Sequence, residues 1–255
     1  MLSNILITNA LDFYVIMRMK NVMNMLIESI GDYKVPNQWQ ETVKTWKKDF
    51  LRVPPVFEGY VEPRTLVAHL SAMLRSKAIL VADVGQNQIW CANNFRIREG
   101  RFLTTGGMGT MGFGMGAAIG AQIANPDKRV FLFTGDGSFH MNLNELVTLK
   151  SYNLPVIVLV MNNSVLGMVR QWQKLFYGSR FSQTDPHRAT DFVKLAEAFG
   201  VTGMRVTLDT EIEPAIRKAM ELNGPVVIDC VISPDENVLP MIPPGKTINE
   251  IVTEM

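Results

Sequence analysis

Two glycines flank a single carboxylate in Gly135-Asp136-Gly137-Ser138, which follows the apolar run Arg129 to Thr134. Asn162-Asn163 follows the next apolar run, Pro155 to Met161. Gly135 and Gly137 permit a tight strand-to-helix turn and close approach of the backbone to a ligand. A helix starting there offers free N–H groups and the positive end of its dipole, which together suit an anion. Asp136 puts a carboxylate in the same place. Alone it would repel a phosphate, so a cation between the two resolves the conflict. Asn163 supplies a neutral amide oxygen. With a backbone carbonyl, a water and two phosphate oxygens, these form the hard octahedral shell that magnesium prefers.

Such residues must sit on strand ends, because ligands of open parallel sheets bind beyond the carboxyl ends of the strands. Ala78 to Ala82 is a third short apolar run, and it ends in Asp83-Val84-Gly85-Gln86-Asn87-Gln88. Further strands are expected over Val201 to Val206 and Val226 to Val231. Helical spacing marks Thr65 to Leu74, a glycine-rich turn and helix over Gly106 to Ala124, and Asn142 to Tyr152. It also marks Val165 to Phe176, Asp191 to Phe199 and Glu211 to Leu222. Apolar strands alternating with helices predict an α/β fold, an open, mostly parallel sheet with helices on both faces. The first residues differ. Met17, Met19, Met23 and Met25 crowd one stretch, and Tyr33 to Phe50 is polar and Lys-rich, with Trp39 and Trp46. Arg52-Val53-Pro54-Pro55 and Glu58 to Pro63 then form a Pro- and Gly-marked linker. The expected division is a helical segment over 1–58 and an α/β domain over 59–255.

Composition removes several classes. Of 255 residues, 47% are apolar and 19% charged, a balance opposite to that of disordered chains. Lys and Arg number 25 against 24 Asp and Glu, with no basic block, which excludes nucleic-acid binding by phosphate neutralisation. Asp12, Arg18, Lys20 and Glu28 interrupt the apolar stretch Met1 to Ile30, so no uncharged run reaches the roughly 18 residues of a membrane span. Cys91, Cys230, His69, His140 and His187 stand singly, which rules out a disulfide framework and ordinary zinc spacing. Low cysteine use and no secretory signal point to a reducing, cytoplasmic setting.

Gly135-Asp136-Gly137 followed, after residues 138–161, by Asn162-Asn163 resembles the signature of thiamine-diphosphate enzymes. Four further segments resemble catalytic subunits of acetolactate synthase, and they lie in family order across residues 60–255. They are Val84 to Trp90 (VGQNQIW), Gly106 to Gly114 (GGMGTMGFG), Gly167 to Gln173 (GMVRQWQ) and Val238 to Gly245 (VLPMIPPG). The resemblance implies that residues 59–255 bind the diphosphate of thiamine diphosphate and its Mg2+. Asp136, the Asn163 side chain and the Val165 carbonyl would hold the metal. Gln86, Asn87, Gly135, Gly137 and Ser138 would bind the diphosphate. Met111 would wedge under the cofactor, and the Gly109 carbonyl would accept from its aminopyrimidine. Met168, Val169 and Trp172 would line the substrate channel, with Met168 also touching the cofactor. On the residues alone, Met111 has a rival reading as core filler, Trp172 as packing and Gln86 as a helix cap.

Two positions depart from the family pattern. Asn87 stands where the family has His, and Met115-Gly116 where it has Leu-Pro. The resemblance also implies a flavin-binding central domain, of which residues 1–58 would be the end, so FAD would bind only in a full-length enzyme. It implies a pyrimidine-binding domain or chain as partner, carrying the glutamate that activates the cofactor. A homo-oligomer and a regulatory subunit are implied as well. The expected activity of the whole is decarboxylation of pyruvate and condensation of the hydroxyethyl unit with a second 2-oxo acid, in branched-chain amino-acid synthesis. Without the pyrimidine-binding domain this chain is expected to be inactive. The rival readings are the cofactor subunit of a split 2-oxo-acid decarboxylase and a non-catalytic binding module.

Overall fold

The computed structural model describes residues 19–34, 37–49, 57–74, 78–97 and 101–253. The chain divides into two compact units, residues 1–55 and 56–255. In the first, α1 (Met19–Ile30) has no buried residue, and α2 (Asn37–Asp49) carries Trp39 edge-on to Trp46 at 5.5 Å. Met17 and the linker residues Arg52 to Pro55 lie outside the described residues.

The second unit runs α3 (Pro63–Leu74), β1 (Ile79–Ala82), α4 (Gln86–Asn94), β2 (Arg101–Thr104), α5 (Phe113–Ala124), β3 (Val130–Gly135) and α6 (Asp136–Asn142). It continues with α7 (Leu146–Ser151), β4 (Ile157–Asn162), α8 (Gly167–Phe176), α9 (Phe192–Ala198), β5 (Thr202–Val206), α10 (Ile212–Glu221) and β6 (Val226–Val231). All six strands are parallel, in the order β2-β1-β3-β4-β6-β5. The sheet is thus wholly parallel.

Strands covered on both faces read as continuous apolar runs because neither side meets water. Alternate residues separate into two cores. Leu80, Phe131, Phe133, Leu159 and Ile228 pack under α3, α4 and α10. Ile79, Val81, Leu132, Val158 and Val227 pack under α5, α6, α7 and α9. At roughly 1.5–3 kcal/mol for each fully buried large side chain, these two layers hold the strand ends in place.

Three local features differ from the sequence expectation. The edge strand β2 has four residues, partly exposed, too short to stand out as an apolar run. The helix after β3 begins at Asp136 itself, so the turn occupies almost no chain. The stretch 142–152 is a short 3-10 turn followed by α7 rather than one helix.

Candidate functional site

From β1 the chain goes to β2 on one side and returns to β3 on the other, so the crevice between the ends of β1 and β3 is a topological switch point. A cavity of about 130 Å³ opens there, with walls from three strand ends. Val84, Gly85, Gln86 and Asn87 follow β1; Gly135, Asp136, Gly137 and Ser138 join β3 to α6; Asn163, Val165 and Leu166 follow β4. Met111, Met168 and Val169 also line the cavity, with Trp90, Met161, Gly167 and Ile232.

Asp136 is the first residue of α6 and only 4% exposed. Burial pushes its carboxyl up to about 6, against the pull of Arg188 and of backbone N–H groups, Gly137 and Asn163 among them. A carboxylate desolvated in a cavity wall gains from a cation beside it. Among the described residues no cluster of three His, Cys, Asp or Glu forms. A cation at Asp136 would therefore complete its shell with neutral oxygens and with oxygens of its own ligand, the donor set of magnesium bound to a diphosphate.

Asn163 offers such an oxygen. Its Oδ1 accepts from the Val165 N–H at 3.2 Å, which uses one lone pair and leaves the other. Ser164 between them takes φ +59°, a left-handed conformation unusual for serine. The Asn163 Nδ2 donates to Gln86 Oε1 at 3.2 Å. Gln86 Nε2 in turn donates to Gln171 Oε1 at 2.9 Å and to the Glu236 carbonyl at 3.0 Å.

The β1 and β3 ends are tied by Asn87, whose Nδ2 donates to the carbonyls of Asp83 at 2.7 Å and Phe133 at 3.3 Å. Ser138 Oγ donates to the Val84 carbonyl at 2.6 Å, leaving its backbone N–H, in the first turn of α6, without an intrahelical partner. Met111 is held in the wall from below. The buried Asp83 accepts from the N–H of Gly112 and of Gly114, each at 3.1 Å, and Asn142 Nδ2 donates to the Gly112 carbonyl at 2.6 Å.

Residues 83–230 match the family model for the thiamine pyrophosphate enzyme, C-terminal TPP binding domain. The chain belongs to that family. The probable acetolactate synthase large subunit of Methanococcus aeolicus is 38% identical over 93% of this chain and 41% of its own length. The acetolactate synthase large subunit of Cyanidium caldarium is 38% identical over 84% of this chain and 37% of its own. The probable large subunit of Methanocaldococcus jannaschii is 39% identical over 91% and 41%. The chain thus spans about two fifths of the length of the curated relatives it matches. Among solved structures, a thiamine diphosphate-dependent 4-hydroxybenzoylformate decarboxylase of Rhodococcus jostii RHA1 superposes with a TM-score of 0.66. It is 27% identical and matches 73% of this chain and 35% of its own.

In this TPP-binding domain eleven of the residues singled out from the sequence share one cavity, and two stand apart from its lining. Those inside are Gln86, Asn87, Met111, Gly135, Asp136, Gly137, Ser138, Asn163, Val165, Met168 and Val169. Gly109 is exposed at φ +64°, and Trp172 is 37% exposed, edge-on to Phe176 at 5.8 Å. Four residues of the TPP-binding domain carry work that the sequence did not reveal. Asp83 and Asn142 pin the glycine-rich loop, Gln171 holds Gln86, and Arg188 sets its charge beside Asp136. Asp83 had a visible signal, an acid closing an apolar strand ahead of a glycine-rich loop. Gln171 and Arg188 had none, since their partners lie far away in the chain.

Proposed function

We propose that this domain is the diphosphate- and magnesium-binding part of an acetolactate synthase catalytic subunit. Asp136, the Asn163 side chain and the Val165 carbonyl would hold Mg2+. The wall formed by Gly135, Gly137 and Ser138 would hold the diphosphate. Bound thiamine diphosphate supplies the electron sink for decarboxylation of a 2-oxo acid; the protein supplies position and charge. Met111 supports the cofactor from the glycine-rich loop, and Met168 and Val169 flank the side where substrate enters.

The observation that carries this reading is the meeting of two segments behind Gln86 of the cavity wall. Gln171 of GMVRQWQ pairs with Val238 of VLPMIPPG, accepting from its N–H and donating to its carbonyl, both at 2.9 Å. The names of the relatives point the same way. Pyruvate would be decarboxylated and its two-carbon unit joined to a second 2-oxo acid, a step of branched-chain amino-acid synthesis.

This domain supplies one part of a shared site. Its cavity falls below the roughly 300–1,000 Å³ of complete small-molecule sites. Among the described residues no glutamate lines it. A pyrimidine-binding domain, on this polypeptide or another, would provide the glutamate and the second wall. Residues 1–58 fit the end of a flavin-binding central domain, and residues 59–255 the cofactor domain. We also place the protein in the cytoplasm, as a homo-oligomer that a regulatory subunit can join. Two buried free cysteines, Cys91 and Cys230, suit a reducing compartment. Among the described residues no helix is long and apolar enough to cross a membrane.

The test is complementation. The chain is mixed with the N-terminal and central domains of a related large subunit, and pyruvate is supplied with thiamine diphosphate and Mg2+. Acetolactate formed only by the mixture supports the reading. Acetaldehyde as sole product would assign a decarboxylase instead, and binding without any turnover a non-catalytic module.

A further inference from the structure

We propose that Gln171 is a positioning residue for the cation site, acting through Gln86 to turn the oxygen of Asn163 toward the cavity. The proposal rests on the reading that a cation sits between Asp136 and Asn163. A side-chain amide has two near-equivalent orientations, one presenting oxygen and one presenting NH2, and only the first can bind a cation. Something must choose between them.

Here the choice is made by backbone groups, whose donor and acceptor roles are fixed. The N–H and carbonyl of Val238 face the Gln171 amide at 2.9 Å each, so Oε1 must take the first and Nε2 the second. Gln86 then meets two acceptors, Gln171 Oε1 and the Glu236 carbonyl, so its NH2 must point there. Its Oε1 is left facing Asn163, which must answer with Nδ2. The Asn163 oxygen is thereby turned to the Val165 N–H and the cavity. The Val165 N–H, a fixed donor at the far end, selects the same orientation. All three side chains are buried, at 2% for Gln171, 5% for Gln86 and 8% for Asn163, so water does not compete for these bonds.

A carboxylate at position 163 has no wrong orientation, and this separates positioning from mere packing. In Asn163→Asp the fixed Gln86 Oε1 would face a negative oxygen. Releasing Gln86 would then help, because its NH2 could swing to the carboxylate. Mg2+ is titrated calorimetrically into the full chain with thiamine diphosphate present at a fixed concentration in cell and syringe. Four variants are compared with the parent: Gln171→Leu, Asn163→Asp, the double variant, and Asp136→Ala. Gln171→Leu is expected to weaken Mg2+ about five- to tenfold in the parent, the worth of one or two hydrogen bonds. In the Asn163→Asp background it is expected to cost nothing or to tighten Mg2+. Equal weakening in both backgrounds, or none in the parent, overturns the proposal. Unaltered Mg2+ binding in Asp136→Ala overturns the cation reading itself, a separate failure. If Gln171→Leu does not fold, the parent decides by NMR of the side-chain amides. Two resolved, slowly exchanging NH2 pairs for Gln86 and Asn163 support the relay, and freely exchanging ones refute it.

Discussion

Gln86 Nε2 lies 2.9 Å from Gln171 Oε1, and this one bond joins the first residue of α4 to α8. The first follows β1 and lines the cavity. The second belongs to the helix that carries Met168 and Val169 into the cavity. The proposed cofactor side and the proposed substrate side are therefore joined by a hydrogen bond.

Asp136→Asn separates function from stability. The native carboxyl is raised from 3.8 to about 6, so its ionisation costs the cation-free fold roughly 3 kcal/mol at neutral pH. The neutral amide removes that cost. Asp136→Asn is expected to raise the Tm of the cation-free chain at pH 7.5 and to abolish Mg2+-dependent cofactor binding. A lower Tm with unaltered binding would show an ordinary structural aspartate.

The same shift fixes a pH dependence. Below pH 3.8 the group is protonated in both states and contributes no difference; the raised native value means the folded state holds its proton longer. Parent stability relative to Asp136→Asn is therefore fully kept below that point and lost as pH rises to about 6. Denaturant melts of both proteins from pH 4 to 7.5, without added cation, check the sign. A gap that narrows on raising the pH would contradict it.

Two glycines predict opposite outcomes. A Cβ on Gly167 would run into Gln86 Oε1 and come within 2.6 Å of Asn163 Nδ2, so Gly167→Ala must break that pairing. It is expected to cost about 1–3 kcal/mol and to weaken Mg2+ binding. Gly120 sits exposed in α5 with nothing within 4 Å of its Cβ position. Gly120→Ala is expected to stabilise by about 0.5–1 kcal/mol with binding unaltered. Calorimetry and thermal melts of both variants read the contrast.

Trp172 is partly exposed and meets Phe176 edge-on, so little core depends on it. Trp172→Leu is expected to cost about 1 kcal/mol or less. In the complemented enzyme it should alter the response to 2-oxo acids or inhibitors more than it alters Tm. A large fall in Tm with unaltered kinetics would make it core.

The strand ends were legible in the sequence because buried parallel strands are apolar throughout and stop sharply at Asp83, Gly135 and Asn162. That sharpness alone places Asp136 and Asn163 on one edge of the sheet. β2 was not legible, since Arg101 to Thr104 is short and half-wet. Nor was the amide chain from Val238 through Gln171 and Gln86 to Asn163. Glutamine carries no periodicity, and each bond in it spans at least 67 residues. Local sequence shows which groups end a strand; it does not show which distant amide they will face.

The central claim is that Asp136 and its neighbours bind the diphosphate of the cofactor through a divalent cation. Calorimetric titration of thiamine diphosphate into the 255-residue chain, with and without Mg2+, tests it most directly. Weak binding that appears only with Mg2+ and disappears in Asp136→Ala is the predicted result. Binding that ignores Mg2+, or that survives Asp136→Ala undiminished, would contradict it.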